Sequence, residues 1–142
     1  MEKLTLEQLA PYFPYRLKGV KDGEKIEAVL LGIYGTGGHS LTLCERINNH
    51  NTVDYDCQID DFKPLLRPLS DLTKEITHNG ETFVPIQNIA IYSPTDQGLP
   101  YLIEQIKTGF IEVIVFNKLI EWHFDVFGLI GKELAIDLNT IK

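Results

Sequence analysis

The stretch from Glu112 to Asn139 constrains this chain most, because its apolar spacing changes partway along. Glu112-Val-Ile-Val-Phe-Asn-Lys-Leu-Ile-Glu-Trp-His-Phe-Asp-Val-Phe-Gly repeats at helical spacing, whereas Leu134-Ala-Ile-Asp-Leu-Asn alternates at strand spacing. On a wheel of about 100° per residue, Phe116, Leu119, Ile120, His123 and Phe127 share one arc. Asn117, Lys118, Glu121 and Asp125 share the other. The pattern predicts one long amphipathic helix ending near Gly128 or Gly131, then a half-buried final strand. Trp122, the only tryptophan, lies within it. His123 is expected in the core, with Asp125 solvated about 160° away around the wheel. On an intact helix the two cannot hold one metal ion or relay one proton, so the most catalytic-looking pair in the chain carries no chemistry.

The rest of the chain supplies a β-rich first half. Thr5 is suited to cap a short helix from Leu6 to Ala10, ended by Pro11 and Pro14. Strands are expected over Leu17–Val20, Ile26–Tyr34, Ser40–Cys44 and Val53–Ile59, forming an antiparallel meander. The second is apolar on both faces and therefore central. Pro64 and Pro68 set an extended approach to a short helix through Leu72. His78-Asn-Gly-Glu81 is a hairpin signal, with His78 facing solvent. Short helices follow from Pro85 to Ile91 and from Tyr101 to Lys107. The expected class is α+β in one domain, 1–142: a small antiparallel sheet packed with short helices, one long C-terminal helix and a final strand.

Composition excludes several functions. The net charge of −7 divides evenly, −3 over residues 1–60 and −4 over 61–142. No Lys/Arg run exists to displace counterions, which disfavours nucleic-acid binding. No apolar stretch is long enough for a membrane span. The N-terminal Met-Glu-Lys-Leu-Thr-Leu-Glu is not expected to act as an export signal. Cys44 and Cys57 lack zinc-ligand spacing and are expected to be buried, reduced thiols in a cytoplasmic protein. The Gly35-Thr-Gly-Gly-His39 loop lacks the following helix and lysine of a phosphate cradle and reads as a hairpin connection. Asp60, Asp61 and Asp71 follow no metal-ligand rhythm and read as cap and surface residues. No catalytic, cofactor-binding or metal-binding residues are assigned, and no cofactor is expected.

Lys63-Pro-Leu-Leu-Arg-Pro-Leu-Ser-Asp-Leu-Thr-Lys-Glu-Ile and Glu121-Trp-His-Phe-Asp-Val-Phe-Gly-Leu-Ile, with Leu134-Ala-Ile-Asp-Leu-Asn, resemble a group of small uncharacterised proteins. Those proteins occur in phages and prophages of anaerobic gut bacteria. The resemblance implies a viral or prophage setting and a bacterial cytoplasm, with no activity to carry over. Small size, an acidic surface and the missing catalytic constellation fit a non-catalytic accessory protein of such an element that acts through a protein partner, with Tyr12, Tyr15, Tyr34 and Tyr101 as the interaction surface beside the 94–101 loop. Two other readings stand behind it. One is a metal-dependent hydrolase or nuclease built from His39 or His78 with Asp60 and Asp61. The other is an acidic decoy that blocks a host defence protein.

Overall fold

A computed structural model describes residues 3–21, 27–34, 40–46, 52–89, 99–109 and 111–140. In chain order, helix α1 (Leu6–Leu9) leads through a 3₁₀ segment (Ala10–Tyr15) into strands β1 (Lys18–Lys21), β2 (Glu27–Tyr34), β3 (Ser40–Arg46), β4 (Thr52–Gln58) and β5 (Phe62–Leu66). Then come β6 (Ile76–His78), β7 (Glu81–Phe83), α2 (Pro85–Ile89), α3 (Leu99–Thr108), α4 (Val113–Glu121) and β8 (Ile136–Asp137). The class is α+β. Among the described residues, no helix is long and apolar enough to cross a membrane. The chain divides into two compact units, Met1–Leu66 with Leu129–Lys142, and Arg67–Gly128.

The first unit is a six-stranded sheet in the order β4-β3-β2-β1-β5-β8. The expected meander is present, and β2 is central between β1 and β3. Thr5 starts α1 through a capping box: its hydroxyl accepts from the Gln8 N–H at 3.3 Å, and its own N–H donates to Gln8 Oε1 at 3.0 Å. The two prolines do not stop the chain there; it tightens into the 3₁₀ segment and turns at Arg16, φ 57°. β5 is a strand where only an extended approach was expected. Its first half pairs antiparallel with β1, from Phe62 opposite Lys21 to Pro64 opposite Gly19. Its second half pairs parallel with β8, Leu65 opposite Ile136 and Leu66 opposite Asp137. Pro64, which has no N–H to give, sits where the strand hands over from one neighbour to the other.

The second unit holds the β6–β7 hairpin and helices α2 to α4. The hairpin turns as expected, with Asn79 at φ 52° and Gly80 at φ 85°, both left-handed as a two-residue turn of this hand demands. The long C-terminal helix is not present. α4 runs for 9 residues and stops at Glu121. It ends in a Schellman motif, with the His123 N–H on the Ile120 carbonyl at 3.0 Å and the Phe124 N–H on the Leu119 carbonyl at 2.9 Å. His123 takes the left-handed position at φ 62°, a place usually given to glycine but one that histidine enters more readily than most residues. Phe124 and Leu119, the two residues joined by the second of these bonds, are both fully buried, as the apolar pair of such a cap usually is.

That early stop overturns the wheel beyond residue 121. His123 is only half-buried, and Asp125, expected in solvent, is 5% exposed. Phe127 is half-buried, and the full core position belongs to Phe124.

Candidate functional site

Arg67 gathers the polar groups of the second unit. Its backbone N–H donates to the His123 carbonyl at 2.7 Å, and its carbonyl accepts from the Asp125 N–H at 2.9 Å, a short parallel bridge around Phe124. Its side chain reaches two further carbonyls, Nε to Trp122 O at 3.1 Å and Nη2 to Thr77 O at 3.0 Å. One arginine thus ties the end of α4 to the β6–β7 hairpin. A cation here also meets the negative end of the helix dipole. Burial lowers the Arg67 pKa, opposed by the carboxylate of Asp71, itself buried and 3.5 Å from Lys74 Nζ.

Two aromatic contacts close the same junction. The rings of His78 and His123 meet edge-to-face with centroids 5.1 Å apart, and Phe83 tilts against Trp122 at 4.9 Å. His78 is therefore half-buried rather than solvent-facing. Burial, then the Arg67 charge, push its pKa down, while the Glu121 carboxylate and a hydrogen bond to the Glu121 backbone pull it up. The net shift favours the neutral imidazole. Two Arg67 donors go to backbone carbonyls, and the His78 ring is packed against another ring. The cluster is a clamp.

Among the described residues, no group of three or more His, Cys, Asp and Glu could hold a metal ion. Asp60 pairs with Lys3 at 3.6 Å and Asp61 is exposed; both belong to the first unit and His78 to the second. His39 and the Gly35–Gly38 loop lie outside the described residues, as do residues 90–98. Cys57 is a free, buried thiol; burial pushes its pKa up, against a lowering by Lys21, which disfavours the thiolate. Cys44 is opposite Asp54 and Cys57 opposite Leu41. That three-residue offset is about 10 Å along a strand, too far for a disulfide.

Of the expected aromatic surface, Tyr12 is buried in the core, Tyr15 is half-buried, Tyr34 ends β2 and Tyr101 is exposed on α3. Among the described residues, the most exposed large apolar side chains are at the start of α4, where Val113 is 71% and Ile114 54% exposed. Beside them Ile106, Ile111, Phe116, Val126 and Phe127 border a hollow of about 310 Å³. Phe116 and Phe127 meet edge-to-face across 6.4 Å. The signal for this face was in the sequence: Val113-Ile-Val115 puts three large apolar residues in a row, and a helix cannot turn all three inward. No protein-family model, curated protein or solved structure matches the chain.

Proposed function

We propose that this chain is a non-catalytic accessory protein of a phage or prophage element, acting in the bacterial cytoplasm through a protein partner. The contact surface is the apolar face of α3 and α4. The observation that supports this reading is that the exposed Val113 and Ile114 adjoin the apolar border of the hollow, since contiguous exposed apolar patches mark interaction sites. Tyr101, on α3, adds an amphipathic ring of the kind favoured at contact sites.

The test is affinity capture from lysogenic cells with the wild-type chain and a Val113→Asp/Ile114→Asp variant as parallel baits. Both substitutions fall on exposed positions and should leave the melting temperature nearly unchanged. A partner retained by the wild type should be lost, or weakened at least about tenfold, since burying two unpaired carboxylates in an apolar contact is costly. Equal capture by both baits would rule this face out.

A further inference from the structure

Asn79 and Gly80, the two residues of the β6–β7 turn, are both exposed and both left-handed. The turn pairs His78 with Glu81 and leaves the two central residues outside the ladder. Among the described residues, neither the Asn79 side chain nor the Gly80 N–H makes a hydrogen bond. A Cβ built on Gly80 would meet nothing within 4 Å. A side-chain carboxamide and the next backbone nitrogen thus stand side by side in water, and no other group holds either of them. Asn79 is also the one asparagine in the sequence that precedes a glycine. Asn88 and Asn117 lie inside α2 and α4 and are followed by Ile89 and Lys118; Asn139 lies in a 3₁₀ turn and is followed by Thr140.

We infer that Asn79 is a site of spontaneous modification, closing onto the Gly80 nitrogen with loss of ammonia and reopening as aspartate or isoaspartate, and that the isoaspartyl form unfastens the Arg67 clamp. The Gly80 nitrogen attacks Cγ of Asn79 and forms the new bond of a cyclic imide. The Cγ–Nδ2 bond breaks, and the amide nitrogen leaves as ammonia with the proton of the Gly80 N–H. Water then adds to one of the two imide carbonyls. If the new bond to Cγ breaks, aspartate results and the original backbone is restored. If the original peptide bond breaks instead, isoaspartate results, with the main chain routed through Cβ and Cγ. Water is the co-reactant, and nothing is oxidised or reduced.

The two products differ in what they do to the hairpin. Asp-Gly suits the same turn as Asn-Gly, so the aspartyl form keeps it. Isoaspartate adds a main-chain carbon to a connection of two residues, and its strands have only 3 residues each to absorb the change. The register from Ile76 opposite Phe83 to His78 opposite Glu81 is then lost. With it go the hydroxyl contact of Thr77 and Thr82 at 2.8 Å and the Thr77 carbonyl that receives Arg67 Nη2 at 3.0 Å. Arg67 keeps Trp122 O at the end of α4 and releases the hairpin.

The test is to age the full chain in mildly alkaline buffer and follow each asparagine by fragment-ion mass spectrometry. Asn79 should become the acid at least about tenfold faster than Asn88, Asn117 or Asn139, because glycine alone sets no side chain against the attacking nitrogen. Enzymatic methylation specific for isoaspartate should label position 79. Asp22-Gly23 can isomerise through the same imide without a change in mass, so the label is to be located by peptide. In the purified isoaspartyl form, the backbone amide NMR signals of Ile76, Thr77, Thr82 and Phe83 should leave their native positions, whereas Asn79→Asp should retain them. Conversion of Asn79 no faster than that of the other three would overturn the site. An isoaspartyl form with native hairpin shifts would overturn its effect on the clamp.

Discussion

At Gly19 the backbone of β1 lies against the Phe62 ring, so that a Cβ there would collide with the ring and sit 2.7 Å from the Lys63 carbonyl oxygen. Glycine is required at this position by close approach, not by an unusual dihedral. Gly19→Ala should therefore destabilise the protein by about 1–3 kcal/mol or somewhat more, the usual range for overpacking a tight site. Urea unfolding would read this as a lower midpoint at unchanged slope; an unshifted midpoint would mean that Phe62 moves aside freely. The residue scale also explains two reversals. His123 leaves the core for a half-buried position and Asp125 becomes buried because a single left-handed residue ends α4. Sequence reasoning looks for glycine at that place and found Gly128, five residues too late.

Among the elements, legibility followed local chemistry. The first four strands could be read because turn residues separate short β-forming runs, and the β6–β7 hairpin because Asn-Gly requires little else. β5 was missed because its proline reads as a strand breaker until its two different neighbours are known. The Arg67 clamp was illegible: its acceptors are backbone carbonyls of Thr77 and Trp122, and carbonyls leave no mark on a sequence. That clamp predicts a pH response. His78 binds its proton more weakly when folded than when unfolded, since its pKa is lowered by burial and by Arg67. Stability should then be full above the ordinary histidine value of about 6.5 and decline as pH falls from there toward the lower folded value. The groups around the ring are Arg67, Glu121 and His123, with Glu81 across the hairpin. Comparing urea midpoints between pH 5 and 8, His78→Gln should respond less steeply than the wild type. Parallel curves would remove His78 from the account.

For the molecule as a whole, the notable property is that one unit is discontinuous in sequence: the sheet begins before Leu66 and is completed only after Leu129. β8 is just 2 residues long, yet it covers the edge of β5 at Leu65 and Leu66, which are 1% and 0% exposed. Deleting residues 134–142 should leave that edge bare and promote self-association, the usual fate of an uncovered apolar strand. Size-exclusion chromatography and a thermal melt would check this; a monomeric truncation with an unchanged melting temperature would show β8 to be dispensable. The order of chain growth gives the same feature another meaning. At about 5–20 residues per second, the 70 residues from Leu66 to Ile136 take about 4–14 s to leave the ribosome. Through that interval the nascent sheet waits with one margin unfinished, while the intervening residues have time to fold. Any chaperone that recognises bare β-edges would find this one open only in that interval, which closes when the last strand emerges.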